Sequence, residues 1–247
     1  MIQSNYKHSI RFGDGTLENG KFKGVDTYED WHLIPSSRPT IAMPGVEVKF
    51  VTIPGMDGAL DLSQFIRKDR PAYGNRSGTF EFYVENMYDD FNQNEYWMTV
   101  YPKIVNTLHG KKFKMVLWED DPDYYWEGRF TVDKYEPGDG GHSTVAISYQ
   151  VGPFKWKIHA GNDDVAWDNF NFQRDYDNHI ESGFCSGNGG VVKVDVTGAE
   201  SGTKVNIGTE SISLGNRKTA SIVRVIDGRK QISLTGQGSM TWREGSL

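Results

Sequence analysis

The acidic run EDDPD at residues 119–123 is the part of this chain whose residue types come nearest to a metal site. Clustered carboxylates bind Ca²⁺, but an EF-hand loop needs oxygen ligands at fixed alternating positions, a central Gly and a distal Glu. Here Pro122 stands where such a loop would continue. We therefore favour an acidic hairpin tip over a calcium site, and we predict no metal ligand in this run.

Histidine and cysteine, the other common ligands and nucleophiles, also lack a metal-binding or catalytic arrangement. No two histidines have the i, i+4 spacing of a zinc-protease helix, and the sequence contains no Cys/His cluster. Cys185 is the only cysteine, so it cannot form an internal disulfide. We expect His109 to meet the carbonyl groups at a helix end. The histidines are His8, His32, His109, His142, His159 and His179.

Catalytic motifs are equally absent from the sequence. It has no G-x-S-x-G elbow, no P-loop and no G-x-G-x-x-G fingerprint, and the glycine-rich residues 138–141 precede a predicted strand rather than a helix. Pairs such as Asp57 and Asp61, or Glu81 and Glu127, have the residue types of a glycosidase, but nothing distinguishes them from the other acidic residues. We predict no enzyme and no cofactor.

The bulk composition indicates a β-rich protein. The chain has 28 glycines and nine prolines, which favour many turns and few long helices. A net charge of −6 without a Lys/Arg cluster disfavours nucleic-acid binding. No apolar run approaches membrane-spanning length, and the N-terminus has no signal-peptide pattern. We expect a soluble protein, made in a reducing compartment, that does not insert into membranes.

Alternating apolar residues predict the strands of the N-terminal half. Residues 46–50, 80–84 and 145–151 are expected to share the main sheet, and 114–118 should form a hairpin with 124–132. One helix is predicted within residues 94–112, ending at a Gly110 cap, and it should pack on this sheet. Pro102 either bends the helix or lies in its first turn. The expected buried face consists of Trp97, Tyr101, Ile104, Val105 and Leu108.

A second domain is predicted from residue 158, where the composition shifts to Asn, Asp, Gly, Ser and Thr. Asp227-Gly228 is a hairpin-turn signal. We therefore predict a mainly β protein, with a domain of residues 1–157 that carries the helix and a small β-sandwich of residues 158–247. The strands expected in the sandwich are 191–196, 205–207, 221–226, 231–234 and 240–242.

The aromatic residues of the C-terminal half are the candidate contact residues. Trp167, Phe170 and Tyr176, with Phe172 among them, could fill a core, anchor a protein interface or stack on a sugar. The residue types alone leave all three roles open. The sugar-binding role would make the chain a module for a host cell-surface carbohydrate.

Several motifs, taken in order, resemble one known family. They are DTYEDWHLIPSSRP, VTIPGMDGALDLS, NRSGTFEF, WMTVYPKIVNTLHGKKFKM, DDPDYYWEGR and VAISYQVGPFKWK, which together cover residues 26–157, and the ending SMTWREGSL is similar too. This series resembles the distal tail proteins of phages with long, non-contractile tails. The match is less clear over residues 1–25 and 158–239.

The resemblance implies a structural protein of the virion, made in the bacterial host cytoplasm. Its N-terminal domain would build a homo-hexameric ring at the tail tip, and its C-terminal domain would be a galectin-like or carbohydrate-module-like sandwich. The expected partners are the tail tube protein, a tail-associated hub or fibre protein, and a receptor-binding protein or host glycan. DNA would pass through the ring without specific binding, and acidic residues facing the channel would repel its phosphates.

Overall fold

Backbone contacts divide the chain into two compact units, Met1–Pro153 and Phe154–Leu247. The computed structural model describes residues 7–54, 58–62, 72–85, 93–136, 143–159, 182–187, 190–226 and 228–246. Within these ranges strands predominate over helix, so the protein is mainly β, as predicted.

Unit 1 combines antiparallel strands with two short helices. Its longest strands carry the alternating apolar residues seen in the sequence. The elements are β1 (Ile10–Gly13), β2 (Leu17–Glu18), β3 (Lys21–Phe22), β4 (Val25–Asp26), β5 (Leu33–Pro35), β6 (Val46–Glu47), β7 (Phe50–Thr52), β8 (Ala59–Asp61), β9 (Ala72–Tyr73), β10 (Arg76–Val84), α1 (Gln93–Thr99), α2 (Tyr101–Leu108), β11 (Lys112–Leu117), β12 (Asp121–Glu136) and β13 (Thr144–Val151).

Seven of these strands form one antiparallel sheet in the order β4-β1-β11-β12-β13-β10-β5. Strand β10 buries Phe80, Phe82 and Val84, because alternate side chains of a strand point to the same face. Val145 and Ile147 of β13 are fully buried in the same core. The prediction that residues 80–84 and 145–151 belong to the main sheet is therefore confirmed.

The predicted helix is two helices, separated at Val100. Pro102 lies in the first turn of α2, where its missing N–H costs no helical hydrogen bond, so the second of the two alternatives is correct. Ile104 and Leu108 are fully buried in the core of the sheet, as predicted. Gly110 has φ +71° and takes the expected left-handed cap position.

Trp97 departs from the predicted buried face. Its side chain is about half exposed, whereas the preceding residue, Tyr96, is buried and its hydroxyl donates a 2.7 Å hydrogen bond to the Trp31 carbonyl. The break at Val100 separates the two helices, so one continuous helical stripe does not describe the buried residues of both.

Residues 46–50 do not join the main sheet, which corrects the prediction. Val46 and Glu47 pair with β9, and the following strand β7 pairs with β8, so neither is hydrogen-bonded to a described strand of the main sheet. The alternation in this segment correctly predicts strand, but within the described ranges no element packs over it. Its side chains are exposed on both faces.

The turn of the acidic hairpin is shorter than the predicted residues 119–123. Asp121 pairs with Leu117 as the first residue of β12, so residues 121–123 belong to the strand and the turn spans residues 118–120. A register shift between Met115 and Leu117 accompanies this early start of pairing. The acidic residues are therefore not all at the hairpin tip.

The described residues of unit 2 form a small β-sandwich of two antiparallel sheets of four strands each, in the orders β19-β16-β21-β14 and β15-β20-β17-β18. Inward-facing residues of both sheets, including Val194, Trp242 and Ile232, share one buried core. The strands are β14 (Lys155–Lys157), β15 (Ser182–Gly187), β16 (Val191–Thr197), β17 (Lys204–Ile207), β18 (Glu210–Ser213), β19 (Thr219–Val225), β20 (Gly228–Thr235) and β21 (Ser239–Ser246).

The five strands predicted for this half are all present, and β14, β15 and β18 were not predicted. The prediction of a hairpin at Asp227-Gly228 is wrong. The strands on its two sides belong to different sheets: β19 pairs with β16, and β20 pairs with β15. Gly228 does have the positive φ, +67°, that the turn signal implies. A turn dipeptide fixes local backbone geometry but not the sheet that the next strand joins.

Candidate interaction surface

An exposed apolar arm is the most unusual surface of unit 1. We define the arm as residues 43–53, which run through β6 and into β7 and its following residue. Val46, Val48 and Phe50 are 53%, 60% and 59% exposed, and Met43, Val51 and Ile53 are exposed as well. Exposed clusters of large apolar side chains mark interaction sites on soluble proteins.

Two short ladders hold the arm as one strand of a ribbon. Phe50 lies opposite Asp61, and Val46 lies opposite Tyr73. Backbone hydrogen bonds at each ladder extend the pairing, from Leu62 N to Lys49 O at 2.8 Å and from Gly74 N to Gly45 O at 2.9 Å. The ribbon is thus held by backbone pairing, although no part of the chain that the structure describes packs a layer on its apolar side chains.

Arg76 fixes the base of the arm. It donates hydrogen bonds from Nε and Nη2 to the Pro153 carbonyl at 2.9 and 2.7 Å, and from Nη1 to the Ala42 carbonyl at 3.1 Å. Its guanidinium also lies 4.5 Å from the ring centre of Trp126. Burial lowers the pKa of Arg76 from its ordinary value, but the group stays charged at neutral pH.

Tyr149 of β13, the strand paired with β10, also binds the backbone at Ala42. Its hydroxyl accepts a 3.2 Å hydrogen bond from the backbone N–H of Ala42, and its ring stacks on Phe80. The position requires Gly78 across the ladder, since a Cβ there would lie 2.5 Å from the Tyr149 hydroxyl. The arm therefore leaves a rigid part of the sheet.

An aromatic patch forms a second apolar surface on unit 1. We define it as Trp97, Met98, Tyr101 and Tyr135. Trp97 stacks on Tyr101 with ring centres 4.8 Å apart, and both rings contact Tyr135, at 4.9 and 5.5 Å. Met98 beside them is 74% exposed. Aromatic residues and methionine are enriched in protein interfaces.

The acidic run contributes a structural clip rather than a ligand site. The Asp120 carboxylate, only 8% exposed, lies 2.7 Å from Arg38 Nε and 3.0 Å from His8 Nδ1. Glu119 accepts a hydrogen bond from the backbone N–H of His8. These contacts join three segments that are far apart in the sequence.

Other predicted sites have the following outcomes. The backbone N–H of His109 donates to the Val105 carbonyl at the helix end, as expected, while the ring Nδ1 bonds the Val132 carbonyl at 3.2 Å. Among the described ranges, no three His, Cys, Asp or Glu side chains lie where they could hold a metal ion. The described part of the chain also has no helix long and apolar enough to cross a membrane.

The candidate contact residues Trp167, Phe170, Phe172 and Tyr176 lie outside the described residues. Their role in a core, an interface or sugar stacking therefore stays a prediction. The arm and the patch, by contrast, were missed as functional surfaces. A two-residue alternation bounded by Pro44-Gly45 and Pro54-Gly55 was the sequence signal for the arm, but it does not reveal exposure.

Comparison with known proteins shows the fold. No protein-family model and no curated protein sequence matches the chain. Among solved structures, the chain matches the crystal structure of SPP1 Dit (gp 19.1), described as a paradigm of the hub adsorption apparatus in phages that infect Gram-positive bacteria. The TM-score is 0.50 and the identity 12%, over 97% of this chain and 99% of that one. The chain thus has a Dit-like, β-rich fold.

Proposed function

We propose that this chain is a structural protein of a phage tail tip, in which six copies form a ring around the DNA exit channel. The ring joins the tail tube protein on one side to a hub or fibre protein, or a receptor-binding protein, on the other. Its location is the virion, after synthesis in the bacterial host cytoplasm. It carries out no catalysis and needs no cofactor.

The observation that carries this proposal is the fold match to a phage hub protein over nearly the whole of both chains. A single domain shared by the two proteins would not give this coverage, because the match includes both units of this chain. The motif series of residues 26–157 supports the same assignment independently, since it rests on residue identities rather than on backbone shape.

The physical properties of unit 1 suit a ring subunit. A ring of one repeated interface needs two different surfaces on each copy, and unit 1 carries the arm and the aromatic patch. The net charge of −6 suits a DNA passage, because acidic groups at the lumen would repel phosphate. For the alternative, a module for host carbohydrate, the described residues provide no specific support.

Electron microscopy of the purified full-length protein tests the proposal. We expect light scattering to give a species with the mass of six chains, and negative-stain images of that species to show six-fold rings with an open centre. A particle with another number of copies, or a solid assembly without a central opening, would contradict the proposed ring. Addition of the tail tube protein of the same phage should increase the fraction of rings.

A further inference from the structure

The arm exposes as much apolar surface as the largest apolar patches of soluble monomers, which are often functional. The exposed fractions of its six apolar side chains correspond to on the order of 500 Å², against the roughly 800 Å² that each partner contributes to a stable interface. Arg76 and Tyr149 hold its base in place. An arm that is already ordered loses little conformational entropy when a partner binds, so it is suited to docking.

The ribbon that contains the arm also needs support from outside itself. Isolated two-stranded ribbons are marginally stable in water, and a packed layer on one face is what normally stabilises them. Here both faces of residues 45–54 are exposed. A partner that covers Val48 and Phe50 would supply the missing layer.

The chain's own aromatic patch is not that layer. Trp97 and Met98 are exposed in the same structure in which the arm is exposed, so the two surfaces do not cover each other within one chain. The strand register also separates the two surfaces along β10. The arm starts beside Arg76, at one end of this strand. Tyr135 of the patch pairs with Val145, which in turn pairs with Phe82 near the other end. Six residues of strand correspond to about 20 Å.

We propose that the arm of one copy of this chain packs its apolar side chains onto the aromatic patch of the next copy. The inference rests on the proposed ring and names the surfaces that form its repeated interface. One chain carries both apolar surfaces, at opposite ends of β10, so one copy's arm and the next copy's patch join head to tail. Repetition of such a contact gives a ring when the rotation closes, and a filament when it does not.

Photo-crosslinking identifies what the arm contacts. The photoreactive residue p-benzoylphenylalanine replaces Phe50 in the full-length chain, and crosslinked dimers are digested and analysed by mass spectrometry. We expect the crosslink to join the arm to the peptide that contains Trp97, Met98 and Tyr101 of another copy. A crosslink from arm to arm, or to unit 2, would overturn the inference.

Two matched variants test whether the interface has two different halves. The arm variant Val48→Ser/Phe50→Ser replaces exposed side chains, so its fold should be preserved. The patch variant Met98→Lys places a positive charge in the last turn of α1, where the helix dipole favours it. Each should weaken self-association about tenfold or more, whereas Val223→Lys, at an exposed apolar position of unit 2, should leave it unchanged.

Mixing the two variants distinguishes the possible interfaces. The arm variant keeps an intact patch and the patch variant keeps an intact arm, so a 1:1 mixture should form a heterodimer that neither forms alone. Failure of the mixture to form this dimer would overturn the inference. If the wild type forms rings and both variants form them equally well, the inference is overturned while the proposed function stands. If arm-to-patch crosslinks occur in open filaments, the inference is supported and the closed ring is contradicted.

Discussion

Arg76 and Pro153 are joined by two hydrogen bonds from the guanidinium to one carbonyl oxygen, at 2.9 and 2.7 Å. The third donor, Nη1, reaches the carbonyl of Ala42 at the base of the arm. One buried cation therefore connects the start of β10, the end of unit 1 and the origin of the arm. Its planar fork of donors matches this arrangement, which an ammonium group cannot reproduce.

Replacing Arg76 with Met should lower the free energy of unfolding by about 3 kcal/mol, because the variant removes several charge-assisted hydrogen bonds and the contact with Trp126. Urea denaturation of the full-length protein measures this loss. Arg76→Lys should recover only part of the stability. The control is Arg224→Met: Arg224 pairs with Glu210 at 3.0 Å on an exposed surface, where an ion pair contributes at most about 1 kcal/mol. Equal losses in the Arg76→Met and Arg224→Met variants would contradict the clamp.

The sequence allowed the strands with a covered face to be predicted and not the exposed one. Alternation in β10 and β13 correctly indicated a buried face, because the same chain supplies the core. The same pattern in the arm indicated a half-buried strand, yet the structure leaves it exposed. Alternating apolar residues indicate that one face of a strand is suited to burial. They do not indicate whether the same chain or another molecule buries that face.

Long-range contacts were beyond prediction for a different reason. The partners of Asp120 are His8 and Arg38, which precede it by 112 and 82 residues. No local spacing connects these positions, so the acidic run was interpreted by its own composition alone. The helix region shows a milder case of the same limit. Pro102 indicated that a regular helix could begin beside it, but the helical periodicity did not predict that the turns before it form a separate helix that ends at Thr99.

Replacing Asp120 with Asn should destabilise unit 1 by about 1–2 kcal/mol, because a buried carboxylate loses its charge-assisted bonds to Arg38 and His8. Denaturant titration at neutral pH measures the change. Glu210→Gln, at an exposed ion pair, should change stability by no more than about 0.5 kcal/mol. Excess calcium chloride should leave the melting temperature of the wild type unchanged, and a clear increase would favour the cation site over the clip.

Tyr96 should make the stability of the protein sensitive to alkaline pH. Burial raises the pKa of its hydroxyl well above the ordinary value, and the neighbouring Tyr135 adds to the effect. The neutral form is therefore favoured in the folded state, so the contribution is complete below the unfolded pKa of about 10 and is lost as pH rises above it. The loss should be about 1.4 kcal/mol per pH unit, because one proton is released on unfolding.

The variant Tyr96→Phe isolates this effect. At pH 8 it should be less stable than the wild type by about 1 kcal/mol, since the bond to the Trp31 carbonyl is lost. Above pH 10 the difference should shrink, because Phe cannot ionise. Denaturation curves at several alkaline pH values measure it, with Tyr83→Phe at an exposed position as the control. A difference that stays constant up to pH 11 would mean that Tyr96 ionises equally in both states.

Ile104→Asp should destabilise unit 1 most strongly. Ile104 is fully buried between α2 and the sheet, so the variant loses apolar contacts and places an unpaired carboxylate in the core. We expect a loss of about 4 kcal/mol or more, and a melting temperature lower by roughly 10 °C. The control is Lys103→Asp on the exposed side of the same helix, where a negative charge in the first turn suits the helix dipole. It should match the wild type, and if both variants melted at the same temperature, the packing of α2 on the sheet would not be what holds this part of the unit together.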